Sequence, residues 1–467
     1  MKIKQEKNMK KKNINRREFL KIAGTAASVM TLTSCNNKNN NSTPNVENTV
    51  FIPNGQMTYR SFSTLGEDKV SLLGYGCMRF PKIPNPNGKG EIIDQESVDR
   101  LVDYAIKHGV NFFDTSPVYS GGQSEVAIGK SLKRYPRSKF YISTKLSNFS
   151  NWTYENSVLM YKKSFEILQV DYIDYYVLHS VGSRGDITEF NKRYVDNGII
   201  DYLVKEREAG RIRHLGWSFH GSKETFDDML ILHKKYHWDF VIIQLNYIDW
   251  KIATGSGIGA EYLYTELEKR GIPVIIMEPL LGGRLSKLPN HVVTRLKQQA
   301  PENSVASWAF RFCGSYKGVL TVMSGMTYIE HLQDNLKSFS PLKPLTKEEN
   351  NFLLETAGII NSYPTIPCNE CQYCMPCPYG INIPAILAHY NKCINEGNIP
   401  ENVQDKNYHK ARQAFLIGYD RSVPKLRQAN HCIGCNQCSH HCPQRINIPQ
   451  EMQHIDEFIE KLKTSKF

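Results

Sequence analysis

Short apolar runs alternate with amphipathic stretches through the middle of the chain. Each run is almost continuously apolar, which is typical of a strand buried on both faces of a parallel sheet. The amphipathic stretches between them, such as Ser97 to His108 and Tyr154 to Gln169, predict helices, and several end near a glycine that can cap a helix. The eight runs are SLLGYG (71–76), NFFDTS (111–116), KFYISTKL (139–146), YIDYYVLH (172–179), RIRHLGWSF (211–219), DFVIIQLNY (239–247), IPVIIMEPL (272–280) and GVLTVMSG (318–325).

Eight strand and helix units predict an α/β fold, a closed (β/α)8 or TIM barrel, over residues 57–345. Barrels of this kind typically take ~250 residues. The alternative is an open doubly wound sheet, but no G-x-G-x-x-G sequence opens a helix. A barrel places its site at the carboxyl ends of its strands, so we expect functional side chains there.

The C-terminal part of the chain contains two cysteine repeats, each of which ends in Cys-Pro. Three cysteines spaced two residues apart can bind one face of an iron-sulfur cubane, and a fourth beside a proline can ligate the neighbouring cluster. The repeats therefore predict two [4Fe-4S] clusters with crossed ligation. The alternative is structural zinc, but four cysteines per repeat ending in Cys-Pro fit zinc poorly. The predicted ligands are Cys368, Cys371, Cys374 and Cys442 for one cluster, and Cys432, Cys435, Cys438 and Cys377 for the other. The first repeat departs from the usual spacing, because only Met375 and Pro376 precede its fourth cysteine, where three residues are common.

The N-terminus is predicted to be a cleavable targeting signal and not part of the folded protein. Residues 1–35 join a basic segment containing RREFLK, at Arg16 to Lys21, to an apolar stretch and then LTSC, which ends at Cys35. The first sequence resembles a twin-arginine export signal, and the second resembles a bacterial lipobox whose cysteine is lipidated. The alternatives are a solvated charge run and an ordinary thiol at Cys35. Together they predict a periplasmic or cell-envelope lipoprotein. The twin-arginine route suits this chain, because it exports folded proteins whose clusters are already inserted.

Charge and composition change little else. The formal net charge is +12, but the first 34 residues hold nine Lys or Arg and two Glu, so +5 remains on the rest of the chain. Nothing in that balance indicates a nucleic-acid partner. Residues 36–56 begin with a polar stretch too poor in apolar side chains to fold, and we expect a tether. Three cysteines outside the repeats are expected to pack inside as small hydrophobes: Cys77, Cys313 and Cys393.

Four titratable residues follow the ends of three consecutive predicted strands. Asp114 ends the second strand and Tyr119 lies in its loop, while Lys145 and His179 end the third and fourth. Individually they suit a helix cap, a packed aromatic, a solvated charge and a core histidine, but together they indicate a reaction centre. A tyrosine with its ordinary pKa of ~10 is a poor proton donor and acceptor at neutral pH. We therefore expect Lys145 to favour the phenolate of Tyr119, and Asp114 to hold Lys145 charged and in place. His179 can then hydrogen-bond a substrate carbonyl.

These residues lie in sequences that resemble the aldo-keto reductases, namely FFDTSPVY, STKL, LHS, GWSFH, QLNY, PLLGGRL and HLQDN, with a hairpin-like YRSFSTLGEDKVSLLGYG before them. The resemblance implies that Asp114, Tyr119, Lys145 and His179 are the catalytic tetrad, with Tyr119 as the general acid, and that NADP or NAD supplies hydride. It also implies a set of cofactor-binding residues: Ser218, Gln244, Pro279, Leu280, Gly282, Ser324, Gly325, Asp334 and Asn335.

The branch with a cysteine-rich tail is the most similar, which implies a small helical ferredoxin-like domain over residues 346–467. Helices are expected between the repeats, at Ile383 to Asn395 and Asn407 to Tyr419. Two departures from the family pattern stand out. Met277 and Glu278 occupy the place where many members stack a tyrosine on the nicotinamide, and the loop after the eighth strand lacks the Arg or Lys that often pairs with a 2′-phosphate.

The first function that these features support is interconversion of a small carbonyl and an alcohol, coupled to two [4Fe-4S] clusters and an unidentified redox partner. A second is an exported iron-sulfur electron-transfer protein whose barrel is a docking or ligand-binding scaffold. A third is a surface lipoprotein that binds a small molecule without turnover. The intact tetrad favours the first over the third, and the cysteines favour either of the first two.

The predicted targeting signal indicates how the protein reaches the cell envelope. Changing Arg16 and Arg17 together to Lys should leave the protein inside the cell, because the twin-arginine pair is its export signal. Cys35→Ala should export normally but release the protein from the membrane, as fractionation and immunoblotting would show. Unaltered export of the double lysine variant would indicate the general secretory route and contradict the prediction.

Overall fold

Eight strands pair in parallel, in the order of the sequence, around a closed barrel. The computed structural model describes residues 56–183, 185–253, 258–400 and 402–464. The barrel strands are β1 (Leu73–Gly76), β2 (Phe112–Asp114), β3 (Tyr141–Leu146), β4 (Ile173–Val181), β5 (Ile212–Phe219), β6 (Phe240–Gln244), β7 (Val274–Met277) and β8 (Val319–Ser324). β8 pairs with β1 through Ser324 and Tyr75, which closes the ring. The predicted barrel is confirmed, and the open doubly wound sheet is wrong.

Helices surround the barrel and connect its strands. Capping explains where several of them begin, since the side chains of Thr153, Ser222 and Ser304 each accept a hydrogen bond from an amide of the first turn. The helices are Gln95–Lys107, Gln123–Leu132, Tyr154–Leu168, Ile187–Phe190, Ile199–Glu208, Lys223–Tyr236, Ala260–Glu268, Asn290–Gln299, Val305–Ser315, Ile329–Phe339 and Lys347–Asn361.

A β-hairpin covers the amino-terminal end of the barrel. Tyr59–Arg60 pairs antiparallel with Val70–Ser71, which confirms the hairpin expected before the first barrel strand. Leu65 from its loop joins Tyr175 and Phe240, from the starts of β4 and β6, in one buried apolar cluster inside the barrel. With this end filled by side chains, the carboxyl ends of the strands form the open mouth.

A second group of helices follows the barrel and has a core of its own. The helices Ile383–Asn395 and Tyr408–Ser422 lie close to the predicted positions, and Ile448–Thr464 adds a third. Their buried side chains form one apolar cluster, against which six of the eight repeat cysteines pack. The helical content expected of this region is therefore found, and its ferredoxin-like character stays a prediction.

The change from one core to the other falls after the helix Lys347–Asn361. Its buried residues Leu353, Ala357 and Ile360 belong to the barrel core, whereas the second core begins at Ile366. The sequence pattern assigns this helix to the cysteine-rich domain, whereas its buried side chains pack in the barrel core. The predicted domain boundary at residue 345 stays a prediction.

All described residues belong to one compact unit, Phe51–Phe467. The predicted export signal, residues 1–35, and nearly all of the predicted tether, 36–56, lie outside the described residues. Within the part of the chain that the structure describes, no helix combines the length and apolar character needed to cross a bilayer.

Candidate active site

A buried ion pair lies at the mouth of the barrel. Lys145 Nζ is 2.5 Å from Asp114 Oδ1 and donates a second hydrogen bond, of 2.8 Å, to the Thr115 carbonyl oxygen. Register explains the meeting, because β2 and β3 pair with Asp114 opposite Ser143, whose hydroxyl also donates to Asp114 at 2.8 Å. Lys145 is 2% exposed and Asp114 3%, so each charge depends on the other for compensation.

Tyr119 and His179 lie beside this pair. Lys145 Nζ is 5.2 Å from the centre of the Tyr119 ring, and the Tyr119 and His179 rings meet edge to face with their centres 6.0 Å apart. His179 lies near the end of β4, and its Nδ1 is 2.6 Å from Ser147 Oγ, which orients the imidazole. The structure therefore brings together all four residues that the sequence indicated.

The pKa of Tyr119 moves against the sequence-based expectation. Burial raises the pKa of this phenol well above its ordinary value, and the neighbouring Tyr373, Asp114 and Glu278 raise it further. Lys145 was expected to favour the phenolate, but burial outweighs that effect and the pKa of Tyr119 is raised. Tyr119 therefore keeps its proton at neutral pH, as a general acid requires.

A cavity of about 750 Å³ lies next to the tetrad and is lined by all four of its members. Nine residues are expected to bind the cofactor, and Gln244 is the one that does not line this cavity. Its side chain donates a hydrogen bond to Asp249 at 2.7 Å and accepts one from Gln444 at 3.0 Å. The eight others line the cavity: Ser218, Pro279, Leu280, Gly282, Ser324, Gly325, Asp334 and Asn335. The structure groups these residues around one space, and their role in binding stays a prediction.

Internal hydrogen bonds hold the walls of this cavity. Asn335 Nδ2 donates to Ser324 Oγ at 2.9 Å, and Ser304 Oγ donates to Asp334 at 2.6 Å. These bonds tie the end of β8 to the helix that follows it and to the start of the preceding helix. The walls of the cavity are therefore braced by hydrogen bonds within the protein.

Cations line the same cavity from positions that the sequence analysis did not consider. Lys287 follows the 279–286 segment after β7, Lys297 lies in the next helix, and Arg79 lies after β1. They lie outside the loop after β8, where the family pattern often places a phosphate partner, so that pattern gives no signal for them. Side chains of this kind pair with phosphate oxygens.

The two cysteine loops have matching backbones. Glu370 and Gln372 have positive φ angles of 55° and 65°, and Gly434 and Asn436, at the same positions of the second repeat, have 73° and 58°. The residues three beyond each fourth cysteine, Gly380 and Arg445, match as well, with 78° and 52°. Left-handed residues of this kind turn successive amides toward one centre and create the anion-binding concavities found at many iron-sulfur sites.

The thiols fall into the two predicted groups. Burial raises the pKa of Cys374, and the thiols that raise it further are Cys371, Cys368 and Cys442, followed by Cys438. Burial likewise raises the pKa of Cys438, where the neighbouring thiols come from the other set, Cys432, Cys377 and Cys435.

Amides and a cavity support the same grouping. The Glu370 amide lies 3.4 Å from Cys368 Sγ, a bond of the type that tunes iron-sulfur clusters. A small cavity with an apolar wall is lined by all four cysteines of the second set, Cys377, Cys432, Cys435 and Cys438. Among the described residues, no three or more His, Cys, Asp or Glu side chains converge on a single metal ion.

Among the described residues, the three cysteines outside the repeats are buried. Cys77 and Cys313 are fully covered and Cys393 is 2% exposed, which confirms that they pack inside as small hydrophobes.

A second cavity, of about 740 Å³, opens in front of the tetrad, between the barrel and the cysteine loops. Tyr119 and Phe149 line it from the barrel, and Gln372, Tyr373 and His440 line it from the cysteine-rich part. Tyr373 and Tyr119 line the same space, and Tyr373 raises the pKa of Tyr119. No signal in the sequence could place Tyr373 against Tyr119, because the two lie in different parts of the fold.

A closed parallel barrel with this tetrad beside a cofactor-sized cavity defines an NAD(P)-dependent oxidoreductase. The chain belongs to the Aldo/keto reductase family, whose match spans residues 72–355. The cysteine-rich part lies outside that match.

Relatives in sequence cover the barrel. The L-galactose dehydrogenase of Arabidopsis thaliana is 24% identical over 312 residues, which are 62% of this chain and 91% of that protein. The probable aldo-keto reductase 1 of Glycine max is 31% identical over 158 residues, which are 32% of this chain and 42% of that protein.

Solved structures share the fold. The holo form of aldo-keto reductase AKR11C1 from Bacillus halodurans has a TM-score of 0.51 and 22% identity, and covers 64% of this chain and 96% of its own. The thermostable aldo-keto reductase Tm1743, in complex with the inhibitor epalrestat, has a TM-score of 0.50 and 20% identity, and covers 64% of this chain and 100% of its own. At these identities the likeness supports the fold alone.

Removing the Tyr119 hydroxyl should abolish carbonyl reduction. We expect Tyr119→Phe to lower kcat by about 10² to 10⁴, the usual contribution of a general acid, while nicotinamide still binds. The measurement is steady-state kinetics on an aldehyde that the unaltered protein reduces. Tyr328→Phe is the control, since Tyr328 lines the front cavity but is 61% exposed. A Tyr119→Phe enzyme that keeps most of its kcat would refute the tetrad assignment.

Proposed function

We propose that this enzyme interconverts a small carbonyl compound and its alcohol with NADP or NAD, and exchanges electrons with two [4Fe-4S] clusters. The observation that carries the first part is the buried Asp114 and Lys145 pair beside Tyr119. A scaffold or binding protein has no need of two buried charges at a cavity mouth. The assembled tetrad therefore favours catalysis over the docking alternative.

Each tetrad residue has a distinct task in reduction. Tyr119 donates its proton to the substrate oxygen as that oxygen gains negative charge, and His179 orients the carbonyl by a hydrogen bond. Lys145, held by Asp114, stabilises the negative charge that remains on the Tyr119 oxygen. The nicotinamide, when bound, supplies hydride on the way to the alcohol and accepts it in the reverse direction.

The two cysteine groups fit two [4Fe-4S] clusters. Supporting the assignment are the matching left-handed residues of both loops, the amide directed at Cys368, and the thiols nearest Cys374 and Cys438, most of which belong to the same predicted set. Cys368, Cys371, Cys374 and Cys442 would hold one cluster, and Cys432, Cys435, Cys438 and Cys377 the other. Such clusters transfer electrons one at a time.

We also propose that the enzyme is exported by the twin-arginine route and anchored by a lipid on Cys35. The support is the RREFLK and LTSC sequences, together with clusters that have to be inserted before export. Outside the cytoplasm no pool of free NADPH is expected, so the enzyme would carry its nicotinamide through export. Electrons from an unidentified redox partner would then reach the nicotinamide through the clusters one at a time, and two of them, with one proton, would be needed to restore its reduced form.

Iron content tests the cluster assignment. Protein purified anaerobically should contain about eight irons, four for each cluster. Cys371→Ala should remove one cluster's signal in electron paramagnetic resonance, whereas Cys393→Ala, at a buried cysteine outside the repeats, should keep both. Zinc in stoichiometric amount, without broad visible absorption, would contradict the assignment.

Retention of the cofactor tests the exported enzyme. Mass spectrometry of small molecules released from natively purified protein should find a nicotinamide dinucleotide, because an enzyme exported away from the NADPH pool has to carry its cofactor with it. Its oxidation state should change when the clusters are reduced chemically. Protein that contains no nicotinamide, and shows no affinity for it by calorimetry, would leave the electron-transfer scaffold as the better interpretation.

A further inference from the structure

The two cysteine loops share one backbone but have opposite surroundings. Asn369 follows the first cysteine of its repeat and is 3% exposed, whereas Ile433, at the same position of the second repeat, is 61% exposed. Tyr373 is half-buried, and its counterpart Gln437 is exposed. Cluster binding alone does not explain the difference, because both loops have the same set of cysteines. The first loop is therefore shaped by what it touches.

Asn369 fastens the first loop to the barrel. Its carbonyl oxygen accepts a hydrogen bond of 2.6 Å from Arg79, and its Nδ2 donates one of 2.8 Å to Glu278 Oε1. The backbone also fits closely against Gly282, where an added Cβ would overlap the Asn369 carbonyl oxygen. Gly282 has a φ of 66°, a conformation that suits glycine. The segment after β7 is thus shaped to receive this loop.

Tyr373 stands between the two cavities. It lines both of them, as do Tyr119 and Cys371, so it lies where the two spaces meet. It also raises the pKa of Tyr119. A planar aromatic side chain at this place can pack against a flat ring held beside the tetrad.

The remaining contacts of the cavity point the same way. Asn369, Glu370, Cys371 and Tyr373 all line it, and so does Pro443. Pro443 follows Cys442, which is predicted to ligate the same cluster as the first loop. The first loop, including the predicted ligand Cys371, thus forms part of the wall of this cavity.

We propose that Asn369 and Tyr373 are cofactor-positioning residues, added to the barrel's site by the first cysteine loop. Asn369 anchors the loop across Arg79, Glu278 and Gly282, and Tyr373 forms an aromatic wall against the nicotinamide end of the cofactor. The inference rests on the part of the proposed function that places a nicotinamide in this cavity. It implies that cofactor affinity depends on the first loop and not on the second.

The test uses the full-length protein, purified anaerobically with its iron, and titrated with NADPH and with NADH by calorimetry. Asn369→Ala and Tyr373→Ala should each weaken binding of the preferred nucleotide about tenfold or more, with the iron content unchanged. The matched controls are Ile433→Ala and Gln437→Ala, which make the same truncation at the same positions of the exposed loop. They should bind as tightly as the unaltered protein.

A conservative pair separates the ring from the hydroxyl and covers the case in which an alanine variant loses its iron. Tyr373→Phe should keep the affinity, since the ring remains, and Tyr373→Leu should lose it. Equal affinity in all the variants, or equal weakening in both loops, would overturn the inference while leaving nicotinamide binding intact. Unaltered protein that binds neither nucleotide would overturn the inference and the proposed function together.

Discussion

The buried pair of Asp114 and Lys145 is the constraint on which the rest of the site depends. An unpaired charge in so enclosed a place would be strongly unfavourable, so the two strands that supply the pair have to meet in one register. A shift of one residue in β3 would turn Lys145 to the other face of the strand. The closed barrel provides that register, and Tyr119 and His179 take their places around a charge that is already fixed.

Much of the barrel could be predicted, because its strands are buried on both faces. A strand covered by helices outside and side chains inside shows as a continuous apolar run, and SLLGYG, YIDYYVLH and DFVIIQLNY all became strands near the expected bounds. The tetrad was predictable for a related reason. The carboxyl ends of parallel strands meet at one mouth, so residues that end consecutive strands must be neighbours.

The rest depends on contacts that leave no mark in a local pattern. The amphipathic helix Lys347–Asn361 had to pack somewhere, but periodicity does not say against which core. The pKa of Tyr119 follows burial first and then neighbours such as Tyr373, which only geometry reveals. Asn369 and Tyr373 look like spacers between cysteines, and their burial follows from where the loop lies on the barrel.

The close fit of Asn369 against Gly282 limits how the two parts of this protein can be exchanged. A cysteine module taken from another chain could keep all of its ligands and still fail to seat, unless the barrel also presented Arg79, Glu278 and a residue without a side chain at 282. The barrel and the cysteine-rich part are therefore not independently exchangeable. In a fusion or a chimera, those three barrel residues would have to be transferred together with the cysteine-rich part.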